Sequence, residues 1–305
     1  MAVEDHAAEL TKLIAEVRRI EVQSKRLVTE MLAGSYHSVF RGAGIEFDEV
    51  RQYIDGDDPR SVDWNVTARV GTPFVKKYVD ERALTVLFLL DLSGSMSGGF
   101  GVWSARQVAA RVVASLGLSA VRNNDRVGFV GFSDQVEKWV PPRKSTGHTL
   151  RIIRDCLALP ATSVRTRLDP ALEFAGNALP DGAIIFLISD FLCDGWRRSL
   201  VRCALRHDVV AIRLLPPELD PPEGGMMRLQ DPETGVTSVV DWGHEADRAA
   251  YLANVAAWRA RTQADLRHAQ VDLVDVPLPR VFDSNVVVRP LLRFFHMRAW
   301  RGRRR

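Results

Sequence analysis

Apolar and polar positions fall in blocks along this chain, and the sharpest boundary is at Asp91. Leu84 through Leu90 form an unbroken apolar run that stops at that carboxylate. Four to eight continuous apolar residues read as a strand buried on both faces. A second such run, Ile184–Ser189, stops at Asp190. Between and beyond them the period changes to helical. Ala105, Val108, Ala109, Val112, Val113 and Leu116 mark an amphipathic helix, and Val127–Phe132 a strand. Val136–Val140 reads as an antiparallel edge strand, because a parallel crossover needs a dozen or more linking residues. His148–Leu159, Pro170–Ala178, Trp196–Leu205 and Glu245–His268 read as helices, with strands at Val209–Leu215 and Val271–Val276. This alternation predicts an α/β domain over residues 83–280 with a doubly wound, mostly parallel sheet, of Rossmann-like class.

Three stretches depart from the alternation. Residues 5–33 carry Leu10, Leu13, Ile14, Val17, Ile20, Leu27, Val28 and Met31 at helical spacing, which predicts an amphipathic helix filling an N-terminal segment, 1–34. Near 216–241 the pattern breaks at Pro216, and apolar runs flanking Asp231-Pro-Glu-Thr-Gly235 predict a hairpin insertion. From Arg280 onward, through the segment 281–305, there are eight arginines against one acid, Asp283. They read as a basic, solvated C-terminal tail, with a charge suited to contact with anionic lipid, peripherally, with nucleic acid or with an acidic protein face.

Composition narrows the class. The chain has 305 residues, 46% hydrophobic and 26% charged, with net charge +3. That suits a globular protein with a core, and the charge is too small to imply nucleic acid. Three cysteines without C-x-x-C pairing point to a reducing compartment. No apolar run is long enough for a membrane span, and no secretory signal is evident, so a cytoplasmic protein is expected. There is no P-loop, no G-x-G-x-x-G, no G-x-S-x-G and no zinc-type His/Cys spacing.

The chemistry sits at the end of the first buried strand. Asp91, Ser93 and Ser95 alternate in D-x-S-x-S, an oxygen-rich corner at a place where open α/β sheets bind ligands. Mg²⁺ and similar hard divalent cations take oxygen donors and keep several waters. A helix cap alone would need one oxygen, not three.

D-x-S-x-S after a buried first strand resembles the metal-ion-dependent adhesion site of von Willebrand factor A domains. The resemblance implies two further ligands, a threonine on the next loop and an aspartate ending the fourth strand. Thr166, in Val164-Arg-Thr-Arg-Leu168, and Asp190 match them. It also implies a bound Mg²⁺ or Mn²⁺ with one position open for an acidic residue of a partner. Arg165 and Arg167 flank Thr166 and would repel a dication unless they point away or pair with Asp190 or Asp194.

Residues 35–82 are rich in interleaved acids and bases. Their apolar residues, among them Ile45, Phe47, Tyr53, Trp64, Phe74, Val75 and Tyr78, are too many for a free linker, so the segment is expected to pack on the main domain. The strings F-R-G-x-G-I-E-F-D-E-V-R-x-Y and G-D-D-P-R-x-x-D-W-N-x-x-A-R resemble the signature of a bacterial family labelled "domain of unknown function 58". The resemblance implies a von Willebrand A-like domain following this segment and a MoxR-type AAA+ ATPase as partner, in protein assembly or remodelling. On it rests the expectation of a non-enzymatic, metal-dependent interaction module. The alternative is a metal-dependent phosphoesterase-like hydrolase using Asp91 and Asp190, with Ser93, Asp194 or His207 as nucleophile or base.

Asp57, Asp58 and Arg60 are candidate contacts for the ATPase, with Trp64 as packing anchor. Asp58→Arg is expected to leave the melting temperature within a few degrees while weakening ATPase binding. Collapse of stability with normal binding by the surviving folded protein would make the segment a brace instead.

Overall fold

The computed structural model describes residues 15–22, 49–54, 62–77, 83–283 and 285–302. Two compact units emerge, one of residues 41–83 and one of residues 1–40 with 84–305. Residues 15–22 are helical (α1); the rest of the helix read over 5–33 lies outside the described residues.

In the smaller unit, β1 (Glu49–Gln52) pairs antiparallel with β2 (Phe74–Lys77). Between them lies α2 (Trp64–Val70). Asp63 caps this helix, its carboxylate accepting from the amides of Asn65 and Val66 at 3.0 and 3.3 Å. Gly71 ends it at φ 80°, a left-handed cap that costs glycine nothing. Of the candidate contacts here, Trp64 opens α2 and is 73% exposed; Asp57, Asp58 and Arg60 lie outside the described residues.

The larger unit is built on a six-stranded sheet: β3 (Thr85–Asp91), β4 (Arg126–Phe132), β5 (Val136–Arg143), β6 (Ile184–Ser189), β7 (Asp208–Leu215) and β10 (Asp272–Pro277). Its order is β10-β7-β6-β3-β4-β5, all parallel except the β5 edge. Successive side chains of a strand point to opposite faces, so each central strand feeds two cores. Val86, Phe88 and Leu90 meet one helical layer, and Leu87 and Leu89 meet the other. Phe88 stacks on Phe186 across the first pair, with ring centroids 5.5 Å apart.

One layer holds α3 (Ala105–Arg122) and α4 (Thr146–Ala158). The other holds α5 (Asp169–Ala178) and α6 (Arg197–Ala204). Long α7 (Glu245–His268) precedes β10, and α8 (Val288–Gly302) follows it. The hairpin read near 216–241 is present as β8 (Met226–Gln230) and β9 (Thr237–Asp241), which among the described residues pair only with each other.

Two readings are corrected. The sequence marks α3 as amphipathic, yet it is buried almost all round, from Ala105 through Ala120 on nearly every position. Ile20 of α1, Ile152 and Ile153 of α4 and Phe295 of α8 join it in one core. Small residues on its other faces, such as Ala110, Ala114 and Ser119, allow that close approach. Arg111, buried within α3, is held by Glu16 of α1 at 2.6 Å and lies over the Trp103 ring at 3.9 Å.

The C-terminal stretch is not a solvated tail over its described part. Residues 288–302 are helical, and Leu291, Phe294 and Phe295 are buried in the core. Its arginines are partly consumed inside the chain: Arg298 pairs with Asp208 and Asp272 at 2.6 Å each, and Arg301 reaches Asp272 at 3.2 Å. If α8 is a core element, Phe295→Ala should cost about 3–5 kcal/mol in urea denaturation, the usual loss for a buried phenylalanine. An unchanged midpoint would restore the tail reading.

Candidate metal centre

In an open parallel sheet the strand order reverses at one point, and ligands bind there, beyond the carboxyl ends of the strands. In this sheet the reversal lies between β3 and β6, neighbours paired in parallel with Leu90 opposite Ile188. Asp91 is the last residue of β3, and Asp190 directly follows β6. The two carboxylates therefore emerge side by side at the switch point.

Local chemistry fixes both. Asp91 Oδ1 accepts from the Ser93 amide at 2.9 Å, and its Oδ2 accepts from the Ser189 hydroxyl at 2.7 Å. Asp190 Oδ1 accepts from the Leu192 amide at 2.9 Å. These turns hold each carboxylate where its strand ends and leave further lone pairs free, since a carboxylate offers about four acceptor sites. Phe191 follows in the left-handed region at φ 60°, which a non-glycine residue adopts at a cost of order 1–3 kcal/mol. Its ring packs edge-on against Trp196, and its carbonyl accepts from Trp258 Nε1 at 3.0 Å, so packing enforces the strained turn.

The hydroxyls come from two loops, tied to each other and to the end of β4. Ser93 and Ser95 hydroxyls lie 3.2 Å apart. Gly94 donates its amide to the Val164 carbonyl at 2.9 Å, which clips the first loop to the loop of Thr166. Arg167 donates its amide to Ser133 at 2.9 Å, tying that loop to the end of β4. All five residues singled out from the sequence converge on one corner, with Asp91 and Ser93 at 0% exposure, Asp190 at 4% and Thr166 at 8%.

The electrostatics of this corner are lopsided. Burial pushes the Asp91 carboxyl up to about 7, with the nearby Asp190 charge adding to the effect. Burial raises Asp190 too, against the pull of the Leu192 amide and the Ser95 hydroxyl. Among the described residues, neither carboxylate forms an ion pair. Arg167 turns outward to Asp169 at 2.7 Å, and Arg165 is exposed. Neither guanidinium takes the place of a cation. Two buried carboxylates side by side without a counter-charge are costly, and a divalent cation would neutralise both.

The donor set fits a hard cation. Among the described residues no three carboxylate, imidazole or thiol groups form a closed metal cage. A cation here would rest on Asp91 and Asp190, the hydroxyls of Ser93, Ser95 and Thr166, and water, a set that suits Mg²⁺ or Mn²⁺ and not a thiolate-seeking metal. Cys193 stands nearby with its thiol held protonated, chiefly by burial and then by the Asp91, Asp190 and Glu233 charges.

Two residues of the corner escaped the sequence reading. Ser189 had a visible signal, its place before Asp190 at the end of a buried strand. Glu233 had none: it lies at the tip of the β8–β9 hairpin and accepts a hydrogen bond from the Thr166 hydroxyl at 2.6 Å. The residues offered for hydrolysis fare differently. Asp194 is exposed, and His207 immediately precedes β7, at the amino end of the sheet and about 20 Å of strand from the carboxyl ends.

A six-stranded doubly wound sheet, mostly parallel with one antiparallel edge, is a fold of the von Willebrand A-like kind. The chain belongs to the family described as "Protein of unknown function DUF58", which matches residues 49–261. It is 29% identical over 280 residues to the uncharacterized protein Rv1480 of Mycobacterium tuberculosis, covering 90% of this chain and 88% of the relative. Among solved structures it is similar to the conserved hypothetical protein BatB from Bacteroides thetaiotaomicron, at 17% identity and TM-score 0.44, covering 72% of this chain and 100% of BatB. It is also similar to proximal thread matrix protein 1 of the mussel byssus, whose MIDAS motif holds zinc in that structure, at 18% identity and TM-score 0.33, covering 44% of this chain and 38% of that one.

The raised Asp91 carboxyl sets a pH dependence. Folding holds its proton more tightly than the unfolded chain does, where an aspartate titrates near 4. The stability it contributes is therefore full below about pH 4 and is lost as pH rises through about 7. Metal-free urea titrations across that window should show stability falling with pH in the wild type and a flatter profile in Asp91→Asn. Parallel profiles would rule the assignment out.

Proposed function

We propose that this chain is a non-enzymatic interaction module that uses a divalent cation to grip an acidic residue of another protein. The observation that carries the reading is the pair of buried, unpaired carboxylates at the switch point, set among three hydroxyls. Bound there, the cation would supply a positive charge with an open coordination position. Asp91 and Asp190 would hold it. Ser93, Ser95 and Thr166 would complete the shell without adding charge, so that the centre retains an appetite for one more anion.

The surface beside the centre supports docking. Val164 and Leu192, each two residues from a ligand, are 54% and 51% exposed, and Phe100 on the first loop is 59% exposed. Apolar side chains around a polar anchor are the usual make-up of a protein-binding patch. A hydrolase would need a nucleophile or base beside the cation. Ser93 is there, 3.2 Å from the Ser95 hydroxyl, but the carboxylates beside it, Asp91 and Asp190, are the ones that would be taken up by the cation. The partner we propose is a MoxR-type AAA+ ATPase, or a client protein delivered to it, presenting an acidic side chain. That choice rests on the family resemblance of the 35–82 segment, where Asp57, Asp58, Arg60 and Trp64 would offer a second contact face.

No described helix is long and apolar enough to cross a membrane. Any contact of the C-terminal arginines with anionic lipid would therefore be peripheral, and Arg298 and Arg301 already have partners inside the chain.

Mg²⁺ or Mn²⁺ should raise the melting temperature, because a ligand that binds only the folded state stabilises it. Asp91→Ala should abolish the rise while the protein stays folded, and should lose the partner in a pull-down from the native host. No binding heat for either ion at millimolar concentration would sink the metal-dependent reading.

A further inference from the structure

Among the described residues the β8–β9 hairpin pairs with no other strand, yet its tip comes to rest on the centre. Within the turn Asp231–Gly235, Glu233 alone is not exposed. The turn is built to present it. Asp231 Oδ1 accepts from the amides of Glu233 and Thr234 at 2.8 and 3.3 Å, and Gly235 closes the turn at φ 72°. Glu233 Oε1 then accepts a hydrogen bond from the Thr166 hydroxyl at 2.6 Å. Pro232 lies against the first loop so closely that a Cβ on Gly94 would come within 2.5 Å of its carbonyl oxygen. That loop is pinned by the Gly94 amide on Val164, so the contact is held from both sides.

The charge arithmetic points the same way. Glu233 brings a third carboxylate to a corner that already holds Asp91 and Asp190, close enough to feel the Asp190 charge. Without a cation that approach is repulsive; with one it is attractive. We propose that Glu233 is the in-chain acid that this centre draws in when a cation is bound, seated through the Thr166 hydroxyl on the face where a partner carboxylate would land. The proposal rests on the metal-dependent reading above. The hairpin thereby closes the site in cis, and a partner's acid must displace Glu233 to dock. A two-stranded ribbon outside the main sheet is the kind of element that opens at low cost.

The test uses the full-length chain as wild type, Glu233→Gln and Asp91→Ala, each titrated with Mg²⁺ by calorimetry and followed by amide hydrogen exchange. Glutamine keeps a hydrogen-bond acceptor for Thr166 but lacks the charge. In the wild type, saturating Mg²⁺ should slow exchange at residues 231–236 about tenfold or more. Glu233→Gln should still bind Mg²⁺, more weakly, and lose that protection; Asp91→Ala should show neither binding nor protection. Equal protection in Glu233→Gln, or Mg²⁺ binding by the wild type with no change at the hairpin, would overturn the in-chain acid and leave the metal centre standing. Absence of Mg²⁺ binding in the wild type would overturn the metal reading and this proposal with it.

Discussion

Two carboxylates that cannot escape each other govern this structure. Asp91 and Asp190 sit at the ends of adjacent parallel strands, so their separation is set by the sheet and not by side-chain choice. Each is buried by the loops that cross above the strands, and burial removes the water that would otherwise screen their repulsion. No arginine or lysine among the described residues answers them. A fold under pressure only for stability would replace such a pair with apolar groups at little cost. Keeping it, and spending a strained Phe191 and a buried aromatic pair to hold it, makes sense where the pair is used.

The parallel sheet is what turns local sequence into this geometry. Strands β3 and β6 are apolar on both faces because helices cover both, so each reads as an unbroken hydrophobic run with an abrupt polar end. The abrupt end is the site. That is why the sheet, the antiparallel β5 edge and the two strand-end carboxylates were legible in the sequence: strand burial, strand termination and carboxylate position are one signal, whereas Thr166, on a loop, was picked out only by the family resemblance. The helices carried less. Periodicity reports the face of α3 that meets the sheet, and nothing in Ala110, Ala114 or Ser119 announces that other helices lie against the remaining faces. The arginines of α8 likewise masked a core helix. Arg298 looks like surface charge until the first residues of β7 and β10 bring Asp208 and Asp272 beneath it.

What stayed illegible depends on long-range docking. Glu233 lies 67 residues from Thr166 along the chain, in a turn whose own pattern predicts a hairpin and nothing about where the hairpin points. Its placement is decided by anchors elsewhere. Trp242 is buried at the foot of β9 against Tyr251, with ring centroids 5.1 Å apart, and the Tyr251 hydroxyl bonds to the Glu218 carbonyl at 2.9 Å. Arg280 donates to the Pro217 carbonyl at 2.9 Å from the far side of the same loop. The tip follows from this base.

The flanking arginines show how the corner stays open to a cation. Two guanidiniums beside Thr166 would fill the site with positive charge if they turned inward. Arg167 instead finds Asp169 at the first turn of α5, where an acid is also favoured by the helix dipole, and its backbone amide is committed to Ser133. The backbone between Val164 and Arg167 is thus fixed at both ends, by Gly94 and by Ser133, and the Thr166 hydroxyl between them turns to Glu233. The arrangement is rigid below and loose above. The ligands stand on strand ends and clipped loops, while the one element that reaches across them, the hairpin, has exposed strands and, among the described residues, belongs to no larger sheet. A binding centre that must hold its ligands still and yet admit a partner needs that division, because only the part with little buried apolar surface can move without unmaking the core.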